Sequence, residues 1–235
     1  MQDFAGSFGE AFRLLLHLDG NLTEIVLLSL RVTLSALAIA TLISLPLGSI
    51  LAVWRFPGRS ILVVIVNSLM GMPPVVVGLA VYMLLSRAGP LGPLGLLYTP
   101  SAMIVAQTIL VTPIITALTH QVIRELHFEY DELLRSMGAN RLATIATLLW
   151  DARYSLITAI LAGFGRASAE VGAVMIVGGN IDHVTRMMTT AIALETSKGN
   201  LSLALGLGII LMALAMAINA ALLAVRMTAE RRAYA

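Results

Sequence analysis

The sequence predicts an all-α integral membrane protein with five transmembrane helices, the N-terminus outside, and one domain over residues 1–235. Three observations predict it. Hydrophobic residues make up 58% of the chain and charged residues only 12%, with a mean hydropathy of +0.91, whereas soluble domains carry about 25% charged residues. The apolar residues gather into runs of the roughly 20 positions that a helix needs to cross hydrocarbon. One charged island, ELHFEYDELLRSMGANRLATIATLLWD at 125–151, interrupts them. The lack of cysteine excludes disulfides, thiolate metal sites and cysteine nucleophiles. A net charge of +2 with scattered arginines excludes nucleic acid as a partner.

Residues 1–19 are too short and polar to span. Phe4, Phe8, Phe12, Leu15 and Leu16 recur at helical spacing, which predicts an amphipathic segment lying at the interface. Asp3 and Glu10 stand where a signal peptide would be basic, so no cleavable leader is expected. The first span covers 25–54, and Pro46 is expected to kink it. Arg55, Phe56-Pro57-Gly58 and Arg59 form a basic turn. The second span, 60–85, holds Pro73-Pro74, which implies either a proline kink or a break that lines a pathway or gate. A turn-rich loop follows at 88–95. The third span is 100–120, with Pro113 inside it. The fourth is 154–178, and a charged loop at 179–200 precedes the fifth span at 201–225.

Arg55, Arg59, Arg124, Arg135, Arg141, Arg153, Arg226, Arg231 and Arg232 fall on one side of this arrangement, and Arg13, Arg87, Arg186 and Lys198 on the other. The positive-inside rule makes the first side cytoplasmic and the N-terminus external. The island therefore faces the compartment that holds ATP.

Within the island, two short helices hinged at Gly138-Ala139-Asn140 are expected. Acids at the start (Glu125, Glu129, Asp131, Glu132) and Arg135 near the end suit the first helix's dipole. Gly138 suits the left-handed end of that helix, and Asn140 the cap of the next. Leu133, Leu134 and Met137 would leave an apolar knuckle facing water, a surface for a partner.

No phosphate-binding loop, dinucleotide fingerprint or zinc-protease motif is present, and the four His lack metal-ligand spacing. No catalytic residue, metal site or cofactor of its own is expected. Uphill movement would need energy from another chain or an ion gradient.

Arg166 and Glu170 lie four apart inside the fourth apolar run. Charges at that depth cost at least about 2–3 kcal/mol each unless paired or hydrated. One reading is a buried pair locking helix packing or a dimer seam. The other has Arg166 lining an anion path, its hold softened by Glu170. Asn180 joins this path with Pro73 and Pro74. Gly163, Gly165, Ala167, Ala169, Gly172 and Ala173 make the same span small-faced, as suits close packing near a dimer axis.

The island resembles the cytoplasmic loop of the membrane subunits of ABC importers, whose pattern is E-A-A, three residues, G, nine residues, I, one residue, L-P. Glu132-Leu133-Leu134 through Gly138 fits the first half. Leu148, Trp150 and Asp151 stand where I, L and P are usual. Met72 to Leu79, Arg87 to Gly92 and Gly165 to Ala173 are similar to the molybdate/tungstate-type permeases. Trp150-Asp151-Ala152-Arg153, Val174 to Ile181 and Thr189 to Thr196 most resemble the tungstate branch.

The resemblance implies a type I importer permease fold in a bacterial or archaeal inner membrane, and import of tungstate or molybdate by alternating access. It implies that residues 131–140 form coupling helices: Asp131, Glu132, Leu133, Leu134, Arg135, Met137, Gly138, Ala139 and Asn140. It implies as partners a second copy in a homodimer, an ABC ATPase dimer that binds ATP and Mg, an external oxyanion-binding protein and membrane lipid. A gradient-driven transporter or channel using Arg166 and Glu170, a permease for another oxyanion such as sulfate, and a scaffold that recruits a soluble partner are the alternatives.

Overall fold

Helix is the regular structure of residues 20–233, which the computed structural model describes. The expected amphipathic segment 1–19 lies outside the described residues. Helix α1 (Gly20–Val53) runs without interruption through Pro46. Its serine hydroxyls donate to carbonyls: Ser29 to Ile25, Ser49 to Leu45, and Ser44 to Thr112 at 3.0 Å. Such internal satisfaction is what hydrocarbon demands of polar groups. At the end of α1, Arg59 reaches back and donates to the carbonyls of Leu51 and Ala52. Those are among the acceptors a helix C-terminus leaves unpaired. Gly58, at φ 86°, makes the reversal possible.

The second expected span is two helices, α2 (Arg59–Leu69) and α3 (Pro74–Leu85). Pro73 caps α3 in extended conformation and Pro74 occupies its first turn, where a missing N–H does no harm. The prolines therefore break the span instead of kinking it. A 3-10 turn at Gly92–Leu94 leads to α4 (Pro100–Ser136), α5 (Arg141–Asp151) and α6 (Arg153–Ser168). Then come α7 (Gly172–Gly178), α8 (Met188–Ser197) and α9 (Leu201–Ala233).

Three expectations are corrected. The first short helix of the island is not separate, because α4 continues through it as a single 37-residue helix that also passes Pro113. The fourth span does not reach 178 as one helix. It stops at Ser168 and restarts at Gly172, so Arg166 and Glu170 do not share a helical face. The loop at 179–200 contains a helix, α8. By length and composition α1, α4 and α9 can each cross a membrane, and the number rises to five if the broken pairs α2–α3 and α5–α6 each count as one span.

The chain divides into two compact units. The first takes Met1–Ala36, Pro73–Gln107 and Ala167–Ile218, and the second Leu37–Met72, Thr108–Arg166 and Asn219–Ala235. In the first, Leu22, Ile25, Met188, Ala191 and Leu207 form a core cluster. In the same unit a Cβ on Gly78 would lie 2.7 Å from Ala173 Cα, so α3 and α7 touch backbone to backbone there. In the second, Ile123, Ile145, Leu148, Ala152 and Leu156 pack with Ala52 and Val53. A Cβ on Gly48 would meet the Thr116 carbonyl at 2.7 Å, and one on Gly163 would meet Ile115 at 2.8 Å.

Candidate functional site

The second unit carries the exposed corner. Gly138 sits at φ 73°, its N–H donates to the Arg135 carbonyl and the Ala139 N–H to Leu134. These two bonds are the Schellman closure of a helix end. Two residues on, the Asn140 side chain accepts from the Ala143 N–H at 2.8 Å and opens α5. The hinge thus has one helix terminus satisfied on each side of Ala139.

Asp131 pairs with Arg135 at 2.8 Å, one turn before the hinge. Leu133, Met137 and Leu142 are exposed, and Glu132 is exposed beside them. Leu134 departs from the expected knuckle: it packs against the Ile123–Ile145–Leu148 cluster and holds α4 to α5. Leu142 belongs to the exposed apolar surface and was not singled out, because its place follows from the turn at Gly138.

At the far end of α5 the chain bends by 76° into α6. No proline makes this bend. Ala152 is buried, and the Arg153 guanidinium lies 4.7 Å from the Trp150 ring centre and 4.3 Å from that of Tyr154. It also donates to the Trp150 carbonyl. A cation between two rings, bonded to the last turn of the helix, fixes the exit.

Arg166, also in this unit, is half-buried near the end of α6. Its Nη2 donates to the Met72 carbonyl at 3.4 Å, at the helix break before Pro73, and its Nε is buried without a partner. Pro73 itself is exposed and Pro74 half-buried.

Pro73, Pro74, Glu170 and Asn180, the other residues of the expected path, belong to the first unit. Glu170 is buried, and its carboxylate accepts from the Ala173 N–H at 2.9 Å. The Thr189 hydroxyl donates to its main-chain carbonyl. A buried carboxylate at a helix start is favoured by the amide dipoles there, so Glu170 has a local structural task. Asn180 has φ 50°, donates to the Thr190 carbonyl at 3.4 Å, and leaves its Oδ1 buried and unpaired. Sequence reading missed Gln107, which is wholly buried in α4, donates to the Ala167 carbonyl at 3.2 Å and has a free Oε1. An amide alone in an apolar run was the available signal.

Also in this unit, His183 Nδ1 lies 2.8 Å from Glu24 on α1, and Asp182 pairs with Arg186 at 2.7 Å. The bond to Glu24, with the charges of Asp182 and Glu24 behind it, raises the pKa of His183 above its ordinary value.

Comparison with known proteins gives a consistent result. The family described as "Binding-protein-dependent transport system inner membrane component" matches residues 44–229. The tungstate uptake system permease protein TupB of Peptoclostridium acidaminophilum is 40% identical over 220 residues, 94% of this chain and 96% of its own. A probable anion ABC transporter permease protein of Haloferax volcanii is 39% identical over 86% of this chain and 90% of its own. TupB of Campylobacter jejuni is 39% identical over 71% of this chain and 70% of its own.

Proposed function

Because this chain belongs to the family of binding-protein-dependent transport system inner membrane components, we propose that it is the permease subunit of an ABC importer for a tetrahedral oxyanion, tungstate or molybdate. The chain is one permease domain with five spans, its N-terminus outside and its hinged corner in the cytoplasm. It works as a homodimer in the inner membrane of a bacterium or archaeon. An ABC ATPase dimer hydrolyses ATP with Mg below it, and an external binding protein delivers the ion.

The observation that carries the coupling role is the corner at Gly138. Leu133, Met137 and Leu142 are exposed together with Glu132 on a turn where the Gly138 and Ala139 N–H groups close one helix and the Asn140 side chain caps the next. An apolar projection on a rigid base suits a cleft on an ATPase. The choice of oxyanion rests on the named relatives. The path proposed for the ion runs by Arg166, with Pro73, Pro74 and Asn180 as gate or lining. Glu170 serves as a packing carboxylate.

Vesicles reconstituted with this chain, its ATPase and its binding protein test the reading. ATP-dependent accumulation of tungstate is expected, and accumulation with no ATPase present would instead support a gradient-driven transporter. Gly138→Pro forces φ near −65° where +73° is needed; this variant and Glu132→Ala should each leave ATP hydrolysis running without uptake. Arg166→Ala should impair uptake more than Arg166→Lys, which keeps the charge. Equal loss in both would assign Arg166 to its Met72 contact alone.

A further inference from the structure

A cavity of about 550 Å³ lies on the second unit between α2 and α4 and shares no lining residue with the corner or the proposed ion path. That is within the range of small-molecule sites. Val63, Ala117 and Phe128 give it an apolar wall. His120, Arg124 and Glu125 give it a polar one. His120 is 7% exposed, yet its Nε2 is buried with no hydrogen-bond partner. The guanidinium of Arg124 enters no ion pair among the described residues, and both Arg59 and Arg124 act electrostatically on the His120 ring. Among the described residues, Glu125 holds only a long bond from the Gln121 amide, 3.4 Å.

The cavity therefore offers unspent donors and an unspent carboxylate side by side. Its depth is informative as well. The apolar run of α4 ends at His120 and charge begins at Arg124, so the cavity stands at headgroup level. Basic pockets between spanning helices at that level bind lipid phosphates. Helix α2 buries none of its residues, and Ile61 and Val64 are well exposed along its flank, an apolar run for acyl chains. A free oxyanion would use Arg124 but gain nothing from Glu125 or the apolar wall.

The geometry points to a binding site for a phospholipid headgroup carrying both a phosphate and a primary ammonium, with the phosphate on Arg124 and His120 and the ammonium on Glu125. The inference rests on the chain being a membrane protein and is independent of which ion is carried.

The test is native mass spectrometry of the full chain, extracted with its assembled subunits and offered phosphatidylethanolamine, phosphatidylglycerol or phosphatidylcholine, with inorganic phosphate and tungstate in parallel. Phosphatidylethanolamine should be retained best, since choline cannot donate a hydrogen bond to Glu125. Arg124→Ala should weaken retention of that lipid about tenfold, as expected for a lost charge-assisted bond. Glu125→Gln should abolish the preference while leaving phosphate lipids bound. Both side chains are exposed, so the variants should fold, and unchanged thermal melting verifies this. Equal retention of all three lipids in wild type and variants would overturn the proposal. So would tight binding of phosphate or tungstate that Arg124→Ala removes without any lipid being held.

Discussion

At the scale of single residues, the hinge depends on two side chains with different tasks. Gly138 accepts a left-handed backbone that would cost a β-branched L-residue about 1–2 kcal/mol, so Gly138→Val should lower stability by that amount in a denaturation curve. Asn140→Ala removes the cap of α5 and should cost about 1 kcal/mol, with hydrogen exchange rising first at Ala143, whose N–H loses its acceptor. His183 supplies a pH signature. Its folded pKa is raised, so its tie to Glu24 contributes fully below the unfolded value of about 6.5 and is lost as pH climbs through the higher folded value. Melting curves of wild type and Glu24→Gln should therefore differ at about pH 5 and converge at about pH 9.

At the scale of elements, close packing is decided by particular glycines. A side chain on Gly78 meets the α7 backbone at Ala173, whereas one on Gly208 meets nothing within 4 Å. Gly78→Val should thus destabilise by at least about 1–3 kcal/mol, the usual result of overpacking, and Gly208→Val hardly at all, as thermal melting would show. Elements ended by local chemistry were legible in the sequence. The Pro73-Pro74 break and the Gly138-Asn140 hinge are both written in residues that fix the backbone. Elements shaped by tertiary contacts were not. Hydropathy ended the third span at His120, but Glu125, Leu126, Glu129, Leu133 and Leu134 are helix formers and carried α4 onward. No helix breaker stands between Ser168 and Gly172; the interruption there is bound up with bonds that Glu170 makes to Ala173 and Thr189. Helix α8 is too short to register as a span, and its start is closed by Thr190 and Ser29.

At the scale of the whole molecule, the proposed homodimer requires a surface for its second copy. Gly163 is spent inside the chain against Val111 and Ile115, while Gly165 on the same helix faces open space. Helix α9 is the least covered candidate span, with 22% of its apolar window buried against 61% for α4. Since the chain has no cysteine, single-cysteine variants report without background. Gly165→Cys is expected to cross-link two copies in membranes. Cross-linking by Met212→Cys alone would move the seam to α9.

The exit from α5 has one more consequence. A proline ring restrains a bend through covalent bonds, and nothing in the surrounding solution alters that restraint. Here a cation between two rings adds a clasp to the packing of Leu148, Ala152 and Leu156, worth about 0.5–2 kcal/mol depending on how dry it is, so its compliance depends on its surroundings. Dissolved guanidinium should compete for the Trp150 and Tyr154 faces, and Arg153→Lys should soften the joint without removing its charge. This joint behaves as a reversible clasp, and its stiffness is set by free energy instead of bond geometry.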